Sequence, residues 1–417
     1  MNEGPPASLP QPGYREALAW LYGRRRDGAP RDPERMRALI AAMSLRSPPN
    51  GVHVVGTNGK GTVTTMLDAG LRAAGARGGR FVSPHVEDFR ERIAVDGLPV
   101  PRETVRRFVA RVKDRVLVPE PAFFELTLAL ALWAFARRGV GWGVFEAGVG
   151  GAHDATRALD GIRLVVITNV TLDHLETLGT DLTSIARDKA GALRPGVPLV
   201  TGAEGEALAV VRAEAERLGC PLYVDDGRAP LFQLPPTAPG LVGDLPPGGA
   251  YARNARLAAA ALRLLGASEA SVSAGLAAPA LPARHERFHV GGREVVLDGA
   301  HDPAAAALLA ASLPAGYVLV FGALARKQGP ATLAALEPRA ARVVLTEAAV
   351  GERPLPDPAG RRFVPDPVTA LRLALAEAPP GATVVVAGSL YLAGRVRPAL
   401  RRMAAAPRTA ARTSVPA

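Results

Sequence analysis

The sequence predicts an α/β protein: a P-loop domain with a mostly parallel sheet, followed by a smaller C-terminal Rossmann-like α/β domain. Two observations carry this prediction. Short apolar runs alternate with helical segments along the chain, which is typical of parallel sheets with helices on both faces. A glycine-rich turn containing a lysine, at 56–62, joins the first of these runs to a helical segment.

The individual elements follow from the spacing of apolar residues. Helices are predicted at 14–26, 33–43, 60–74, 103–116, 123–138, 181–192 and 251–265. Short apolar runs predict strands at 52–55, 80–82, 144–146, 164–168, 198–200, 294–297, 317–321, 342–346 and 383–387. The stretch 225–250 is rich in Pro and Gly, which indicates a loop.

A proline-containing stretch at 277–287 marks the predicted boundary between the domains. It holds Pro279 and Pro282, and a second series of strands and helices begins after it. A chain of 417 residues is long enough for two domains. We therefore expect an N-terminal domain over 1–280 and a C-terminal domain over 281–417.

The composition, 48% hydrophobic and 21% charged, is that of a globular protein. No apolar run reaches the roughly 20 residues that a membrane-spanning helix needs, and the N-terminus lacks the pattern of a secretion signal. Cys220 is the only cysteine, which excludes an internal disulfide or a cysteine metal cluster. We therefore expect a cytoplasmic protein with no membrane partner.

The formal net charge of +11 raises the alternative of nucleic-acid binding. The basic residues, however, are single or stand in short groups such as 24–26 and 401–402, and no nucleic-acid-binding motif accompanies them. Polyanionic small molecules explain the charge equally well. We therefore expect no nucleic acid partner.

Lysine is scarce in this chain, since arginine supplies almost every positive charge. The lysines are Lys60, Lys113, Lys189 and Lys327, and asparagine is similarly rare. Arginine and lysine differ in shape and in how readily they lose a proton. A lysine that remains is therefore a hint that a compact ammonium is required at its position.

The turn at 56–62, with the sequence GTNGKGT, has the features of a phosphate-binding loop. Its glycines allow backbone N–H groups to approach anionic oxygens at a helix N-terminus. Lys60 would reach the β- and γ-phosphates, and the Thr62 hydroxyl would face Mg²⁺. Gly61 separates these two residues, unlike the common GxxxxGK[ST] pattern. A plain strand-to-helix turn is the alternative, and the lysine and hydroxyl favour nucleotide binding.

Polar residues at the ends of later strands could complete such a site. Glu146 ends a predicted strand, where open α/β sheets bind ligands, and a carboxylate there suits Mg²⁺. The alternative is a carboxylate that caps a loop. His174 follows the next strand and could bind metal, act as a base, or bond a backbone carbonyl. Lys189 lies on the helix that follows, at 181–192. It either has a functional role or lies on a solvated face of that helix.

Several motifs resemble those of the Mur ligase superfamily, and specifically its folylpolyglutamate synthase/dihydrofolate synthase branch. They are GTNGKGT (56–62), SPHVEDFRERI (83–93), FFELTLAL (123–130), EAGVGGAHDAT (146–156), the stretch 167–198, DGAHDP (298–303) and GSLYLAGRVR (388–397). The match runs in order from about 14 to 400. The segments 83–93 and 167–198 are more specific to the folate branch than the phosphate loop is.

The resemblance implies an ATP-dependent amide ligase. It would add L-glutamate to dihydropteroate, to a reduced folate, or to both, through an acyl phosphate. The resemblance further implies ATP and two Mg²⁺ ions as cofactors. It also implies a monomeric protein. The alternatives are a Mur-type ligase acting on a cell-wall precursor, and a nucleotide-binding protein that has lost ligation.

The resemblance also implies roles for individual residues. The catalytic residues are Lys60, His174 and Lys189. The metal site consists of Thr62, Ser83, Glu146, His174 and Lys189, the last as a carbamylated lysine. The ATP site consists of Thr57, Asn58, Gly59, Lys60, Gly61, Thr62, Asn254, Arg284, Asp298 and His301. The pterin site consists of Phe123, Phe124, Glu125, His153, Asp154 and Ala155.

The chain departs from the family pattern at a few positions. The family motif GGRLDATN is GGAHDATR here, so that Ala152 removes a guanidinium and Arg157 adds one. Asp302 replaces an asparagine, and the triplet at 326–328 keeps only the lysine of the usual D-K-D. The loop at 27–34 also matches loosely. These departures leave the ATP and metal positions intact and put the choice of substrate in doubt.

Overall fold

The computed structural model describes residues 13–24, 31–172, 178–179, 181–225, 250–278, 281–325, 328–349 and 360–405. The chain divides into two compact units, Met1–Pro279 and Ala280–Ala417. The division falls inside the stretch 277–287 that the sequence predicts as a boundary. We call these the N-terminal and the C-terminal unit.

The N-terminal unit is built on a sheet in the order β4-β3-β2-β5-β1-β6-β7-β8. Its strands are β1 (Asn50–Val55), β2 (Gly78–Phe81), β3 (Ile93–Val95), β4 (Leu98–Pro99), β5 (Trp142–Glu146), β6 (Ile162–Ile167), β7 (Leu199–Thr201) and β8 (Leu222–Val224). The pairs β2–β3 and β3–β4 are antiparallel, and the other pairs are parallel. The sheet is therefore mostly parallel, as predicted.

Helices cover both faces of this sheet. They are α1 (Tyr14–Tyr22), α2 (Pro33–Ala42), α3 (Lys60–Ala73), α4 (Arg102–Val112), α5 (Phe123–Arg137), α6 (Leu182–Ala190), α7 (Gly205–Arg217), α8 (Ala250–Leu264) and α9 (Glu269–Leu276). Successive strand residues point to opposite faces. Accordingly, Val55 and Phe145 pack in one apolar cluster, with α5, while Val54 and Val144 pack in another, with α3 and α8.

The C-terminal unit has a sheet in the order β13-β12-β11-β14-β10-β9. Its strands are β9 (Glu286–Val290), β10 (Arg293–Leu297), β11 (Tyr317–Phe321), β12 (Ala340–Leu345), β13 (Arg362–Phe363) and β14 (Thr383–Ala387). Its helices are α10 (Pro303–Ala311), α11 (Gly329–Leu336), α12 (Pro367–Glu377) and α13 (Leu390–Ala405). Only the β9–β10 pair is antiparallel. The predicted fold class is confirmed in both units.

The structure contains elements that the sequence prediction lacks: the 13-residue helix α7, the short strands β3, β4 and β8, and the strand β9. The hairpin of β3 and β4 was not predicted, because strands of three and two residues are too short to show an alternating pattern. Asp96 and Gly97 form its turn, both with positive φ. The predicted boundary stretch also contains the start of β9 at Glu286. The predicted loop at 225–250 lies outside the described residues between 226 and 249.

Among the helices that the structure describes, none combines the length and the apolar character needed to cross a bilayer.

Helices α3 and α9 approach each other closely through two glycines. A Cβ added at Gly275 would lie 2.7 Å from the carbonyl oxygen of Met66 and 3.0 Å from the Cα of Gly70. A Cβ added at Gly70 would meet the end of the Leu262 side chain, 2.7 Å from its Cδ2. The first contact is with backbone, which moves less easily than the end of a side chain.

We therefore expect Gly275→Ala to lower the free energy of unfolding by about 1–3 kcal/mol, the usual cost of overpacking. Gly70→Ala is the matched control and should cost less, because the Leu262 side chain can change rotamer. Urea unfolding of both variants measures the difference. A larger loss in Gly70→Ala than in Gly275→Ala would contradict the packing argument.

Candidate active site

Three neighbouring parallel strands, β5, β1 and β6, end at the same edge of the N-terminal sheet. The loop 56–59 follows β1, Glu146 is the last residue of β5, and Thr168 follows β6. Ligands of open α/β sheets bind at the carboxyl ends of the strands. The sequence-predicted residues of these three segments are therefore brought together at one edge.

The loop after β1 requires glycine at its two ends. Gly56 has φ 142° and Gly59, the N-cap of α3, has φ 83°, which favours a residue without a side chain. A Cβ at Gly56 would collide with the Thr168 hydroxyl. A Cβ at Gly59 would lie 2.6 Å from the Asn254 Nδ2 and closer still to its Oδ1. The predicted ATP-site residue Asn254 thus lies against this loop.

Asn169 holds the loop in place, and no role was predicted for it. Its Oδ1 accepts hydrogen bonds from the backbone N–H groups of Thr57 (3.2 Å) and Asn58 (2.9 Å). The neighbouring Thr168 donates its hydroxyl to the Asn58 carbonyl at 2.7 Å. This chain has only five asparagines. Asn58 lies in the loop, and Asn169 and Asn254 lie against it, so the scarcity of asparagine could have pointed to Asn169.

Lys60 begins α3, directly after the N-cap glycine. Its Nζ donates to the carbonyl oxygens of Gly56 (3.1 Å) and Thr57 (2.9 Å), which places the ammonium over the loop. Thr62 lies in the first turn of the same helix and is half-buried. The N–H groups of a first helical turn have no intrahelical partner and favour an anion. The loop and helix start therefore have the properties of a phosphate site.

Glu146 is 3% exposed, and its Oε2 accepts the backbone N–H of Ser83 at 2.9 Å. Ser83 follows β2, which pairs with β5, so the sheet brings the two residues together. The donor set of Thr62, Ser83 and Glu146 contains only oxygen, and Mg²⁺ prefers oxygen ligands. No group of three His, Cys, Asp or Glu residues suited to metal binding occurs among the described residues. Thr62, Ser83 and Glu146 therefore fit a magnesium ion that is bound by two hydroxyl groups in addition to one carboxylate. His174 lies outside the described residues.

Lys189 is 2% exposed, on α6. The alternative that Lys189 lies on a solvated helix face is therefore wrong. Its backbone borders the loop after β5, because a Cβ added at Gly151 would lie 3.0 Å from the Lys189 Cα. The structure thus places Lys189 among the buried side chains, with its backbone beside the loop after β5.

The predicted pterin residues fall into two groups. Glu125 accepts the Ala122 N–H at 2.8 Å and pairs with Arg35 at 3.1 Å, so its carboxylate caps α5. Asp154 is buried and accepts the N–H groups of Val149 and Thr156. These two carboxylates are occupied by structural bonds, and Ala155 is buried beside them.

The aromatic members of the predicted pterin site lie at the start of α5. The Phe123 ring stacks on Tyr22 with centroids 5.4 Å apart, and the Arg92 guanidinium lies 5.2 Å from the Phe123 centroid. Phe124 packs edge-on against Phe81 and borders Gly148 of the loop after β5. His153 is exposed. Phe124 and His153 thus have accessible surface that a planar substrate ring could contact.

The remaining predicted ATP-site residues belong to the C-terminal unit. Asp298 follows β10 and accepts the N–H groups of His285 (2.7 Å) and Ala300 (2.8 Å). His301 bonds through Nδ1 to the Gly299 carbonyl at 2.8 Å. Arg284 is half-buried. Together they form one polar group at the carboxyl end of β10.

One family departure in this unit has a local explanation. Asp302 is the N-cap of α10, and its Oδ1 accepts the Ala305 N–H at 2.9 Å. Aspartate and asparagine cap helices about equally well, so the replacement preserves this helix start. Arg326 and Lys327 lie outside the described residues.

Comparison with known proteins gives matches in both units. The Mur ligase middle domain matches residues 54–191, and the Mur ligase glutamate ligase domain matches residues 283–390. The folylpolyglutamate synthase of Lacticaseibacillus casei is 30% identical, over 93% of this chain and 98% of that protein. The matches to the first curated relatives, 34% to 38% identical, span only 43% to 50% of the length of those proteins.

Two solved structures are similar along nearly the whole chain. A bifunctional folylpolyglutamate synthase/dihydrofolate synthase from Yersinia pestis, complexed with AMPPNP and a Mn ion, has a TM-score of 0.79 at 29% identity, covering 94% of this chain and 100% of that one. Escherichia coli FolC in complex with DHPP and ADP has a TM-score of 0.82 at 28% identity, covering 94% and 99%. Sequence, fold and site geometry agree, and the chain belongs to the folylpolyglutamate synthase/dihydrofolate synthase family.

Proposed function

We propose that this protein is an ATP-dependent ligase that forms an amide bond between L-glutamate and dihydropteroate, a reduced folate, or both. The observation that carries the proposal is the edge formed by the loop 56–59, Lys60 and the buried Glu146. That edge combines a phosphate site with oxygen ligands for a cation. Relatives solved with AMPPNP, ADP and a Mn ion support the same chemistry.

The chemistry required is the activation of a carboxylate, which is a poor electrophile. Transfer of the γ-phosphoryl group of ATP to the acid forms an acyl phosphate, and the amino group of glutamate then displaces phosphate. Phosphoryl transfer depends mainly on positioning and charge stabilisation. Lys60 supplies a positive charge at the loop, and the N–H groups at the start of α3 orient the phosphate oxygens.

Thr62, Ser83 and Glu146 would hold Mg²⁺, with His174 and Lys189 as further members of a site for two ions. When bound, the metal would neutralise the charge of the phosphates. Carbamylation would convert the Lys189 ammonium into an anion able to bind a cation. Asn254 holds the loop from the side and would contact the nucleotide, as would Arg284, Asp298 and His301.

Phe123, Phe124 and His153 are proposed to contact the pterin, together with Glu125 at the start of α5 and with Asp154 and Ala155 after β5. We propose that residues 1–280 bind ATP and the pterin acid and that 281–417 form the glutamate-ligase domain, which agrees with the names of the domains matched there. The proposal includes a cytoplasmic location, because ATP and glutamate are cytoplasmic metabolites. It also includes a monomeric protein.

The direct test is a ligation assay. Purified protein with ATP, Mg²⁺ and L-glutamate receives dihydropteroate, a tetrahydrofolate or a muramyl-peptide precursor. We expect phosphate release and glutamate incorporation in equal amounts with at least one of the first two acids. Incorporation with the cell-wall precursor alone, or none with any acceptor, would reject the proposal.

The role of Lys189 is tested by Lys189→Ala. We expect ligation to fall by at least about a hundredfold, the scale of a lost electrostatic group in an active site, and to recover in part when acetate supplies a small carboxylate. Lys113→Ala serves as the control, because it removes a lysine that follows α4 and to which no role in the site is assigned. Normal activity of Lys189→Ala would refute the role of this lysine.

The role of the loop is tested by Gly59→Ala. A side chain there is strained by the positive φ and collides with Asn254. We expect the KM for ATP to rise about tenfold or more, which corresponds to roughly 1–2 kcal/mol of such strain. Gly75→Ala is the matched control, because Gly75 has φ 86° with no atom within 4 Å of the added Cβ. Equal KM values in the two variants would contradict the proposed contact with ATP.

A further inference from the structure

The loop that follows β5 is fastened to the last turn of α6, which carries Lys189. The Ala152 N–H donates to the Asp188 carbonyl at 2.7 Å, and the Gly151 N–H donates to the Asp188 Oδ2 at 2.9 Å. A Cβ added at Gly151 would lie 2.7 Å from the Lys189 carbonyl oxygen. The backbones of loop and helix are therefore in direct contact, and movement of one displaces the other.

Arg157 makes a second connection, at the end of the helix. Its Nε donates to the carbonyl of Gly191, the C-cap of α6, at 2.9 Å. The last carbonyls of a helix have no intrahelical donor, and a cation is favourable beside them. The Arg157 carbonyl in turn accepts a hydrogen bond from the Arg194 Nη2 at 3.1 Å. Arg194, three positions after Gly191, thus holds the backbone of Arg157.

Buried polar residues anchor the chain just before Arg157. Thr156 donates its hydroxyl to the Asp154 Oδ1 at 2.6 Å, and the His53 Nε2 lies 2.7 Å from the same hydroxyl. Burial lowers the pKa of His53 to about 3, so the ring is neutral. Because the Thr156 hydroxyl donates its hydrogen to Asp154, we assign the His53 Nε2 as the donor to the Thr156 oxygen. This series of bonds ties Arg157 to β1, the strand that leads into the phosphate loop.

The two departures from the family motif meet at this place. A Cβ added at Gly191 would collide with the Ala152 Cβ, and Arg157 donates to the carbonyl of that same glycine. The guanidinium absent at 152 and the one gained at 157 therefore border the same residue. Arg157 thus places a cation beside the C-cap of α6, two positions after Lys189.

We propose that Arg157 is a positioning residue, which fixes the end of α6 so that Lys189 is held at the catalytic edge. The inference rests on the proposed function of Lys189. It assigns to Arg157 no contact with substrate or nucleotide. It also means that the arginine at 157, where the family motif has asparagine, acts in catalysis rather than in the choice of the pterin substrate.

The test compares Arg157→Asn, which introduces the residue of the family motif, with Arg157→Lys and a control. The control is Arg187→Asn, which removes a cation from an exposed position on the same helix. Steady-state ligation kinetics for ATP, the pterin acid and glutamate are measured with the melting temperature of each variant. Hydrogen exchange at 188–193 reports on the end of α6.

We expect Arg157→Asn to lower kcat about tenfold, a moderate cost for a displaced catalytic group, with each KM within about twofold of wild type. Exchange at 188–193 should be faster than in Arg187→Asn. Arg157→Lys should recover part of kcat, because an ammonium can donate to the Gly191 carbonyl. The melting temperature should match that of the control.

Different failures have different meanings. Wild-type protein without glutamate-dependent phosphate release rejects the proposed function and this inference together. Active wild type with an Arg157→Asn variant whose kcat equals that of Arg187→Asn rejects only the positioning role. The positioning role is also rejected if Arg157→Lys does not restore kcat and the loss of kcat accompanies a lower melting temperature. Reduced stability would then explain the loss. A raised KM for the pterin acid alone would make Arg157 a substrate contact and overturn the proposal.

Discussion

The shape of the backbone at 56–59 is the constraint on which the N-terminal unit depends. An anion site built from N–H groups needs a loop held still without side chains in the way. Here the N–H groups of Thr57 and Asn58 donate to Asn169, which holds the loop at the start of α3, and the glycines at 56 and 59 lie against Thr168 and Asn254. The loop is therefore shaped by residues from β6 and α8 as much as by its own sequence.

The same edge concentrates groups that are costly to bury. Glu146 and Lys189 are both almost fully buried, and each has its position set by main chain: Glu146 by the Ser83 N–H, and Lys189 by the backbone at 151–152. Buried charges are tolerated where partners or metals compensate them. Their burial together with a phosphate loop is the physical reason to assign catalysis to this edge rather than to the basic surface.

Much of the fold and part of the site could be predicted from the sequence. Helices α1 to α6 and α8 and most strands of five residues or more showed their periodicity, whereas the 13-residue helix α7 and the strand β9 went unpredicted. The loop 56–62 and Glu146 were identified at strand ends. Asn169 received no role, because an amide that holds a loop 111 residues away leaves no local pattern. The hairpin at 93–99 was too short to recognise, and the exposure of Lys189 could not be decided.

The sequence by itself determined the α/β class, the glycine-rich loop after the first strand and the family resemblance, because each depends on residues close together in the chain. Only the tertiary structure decided which polar groups meet. It buried Lys189, placed Asn169 and Asn254 around the loop 56–59, and brought Arg157 to the end of α6. These contacts join segments separated by tens to hundreds of residues, and they exist only once the sheet has aligned its strand ends.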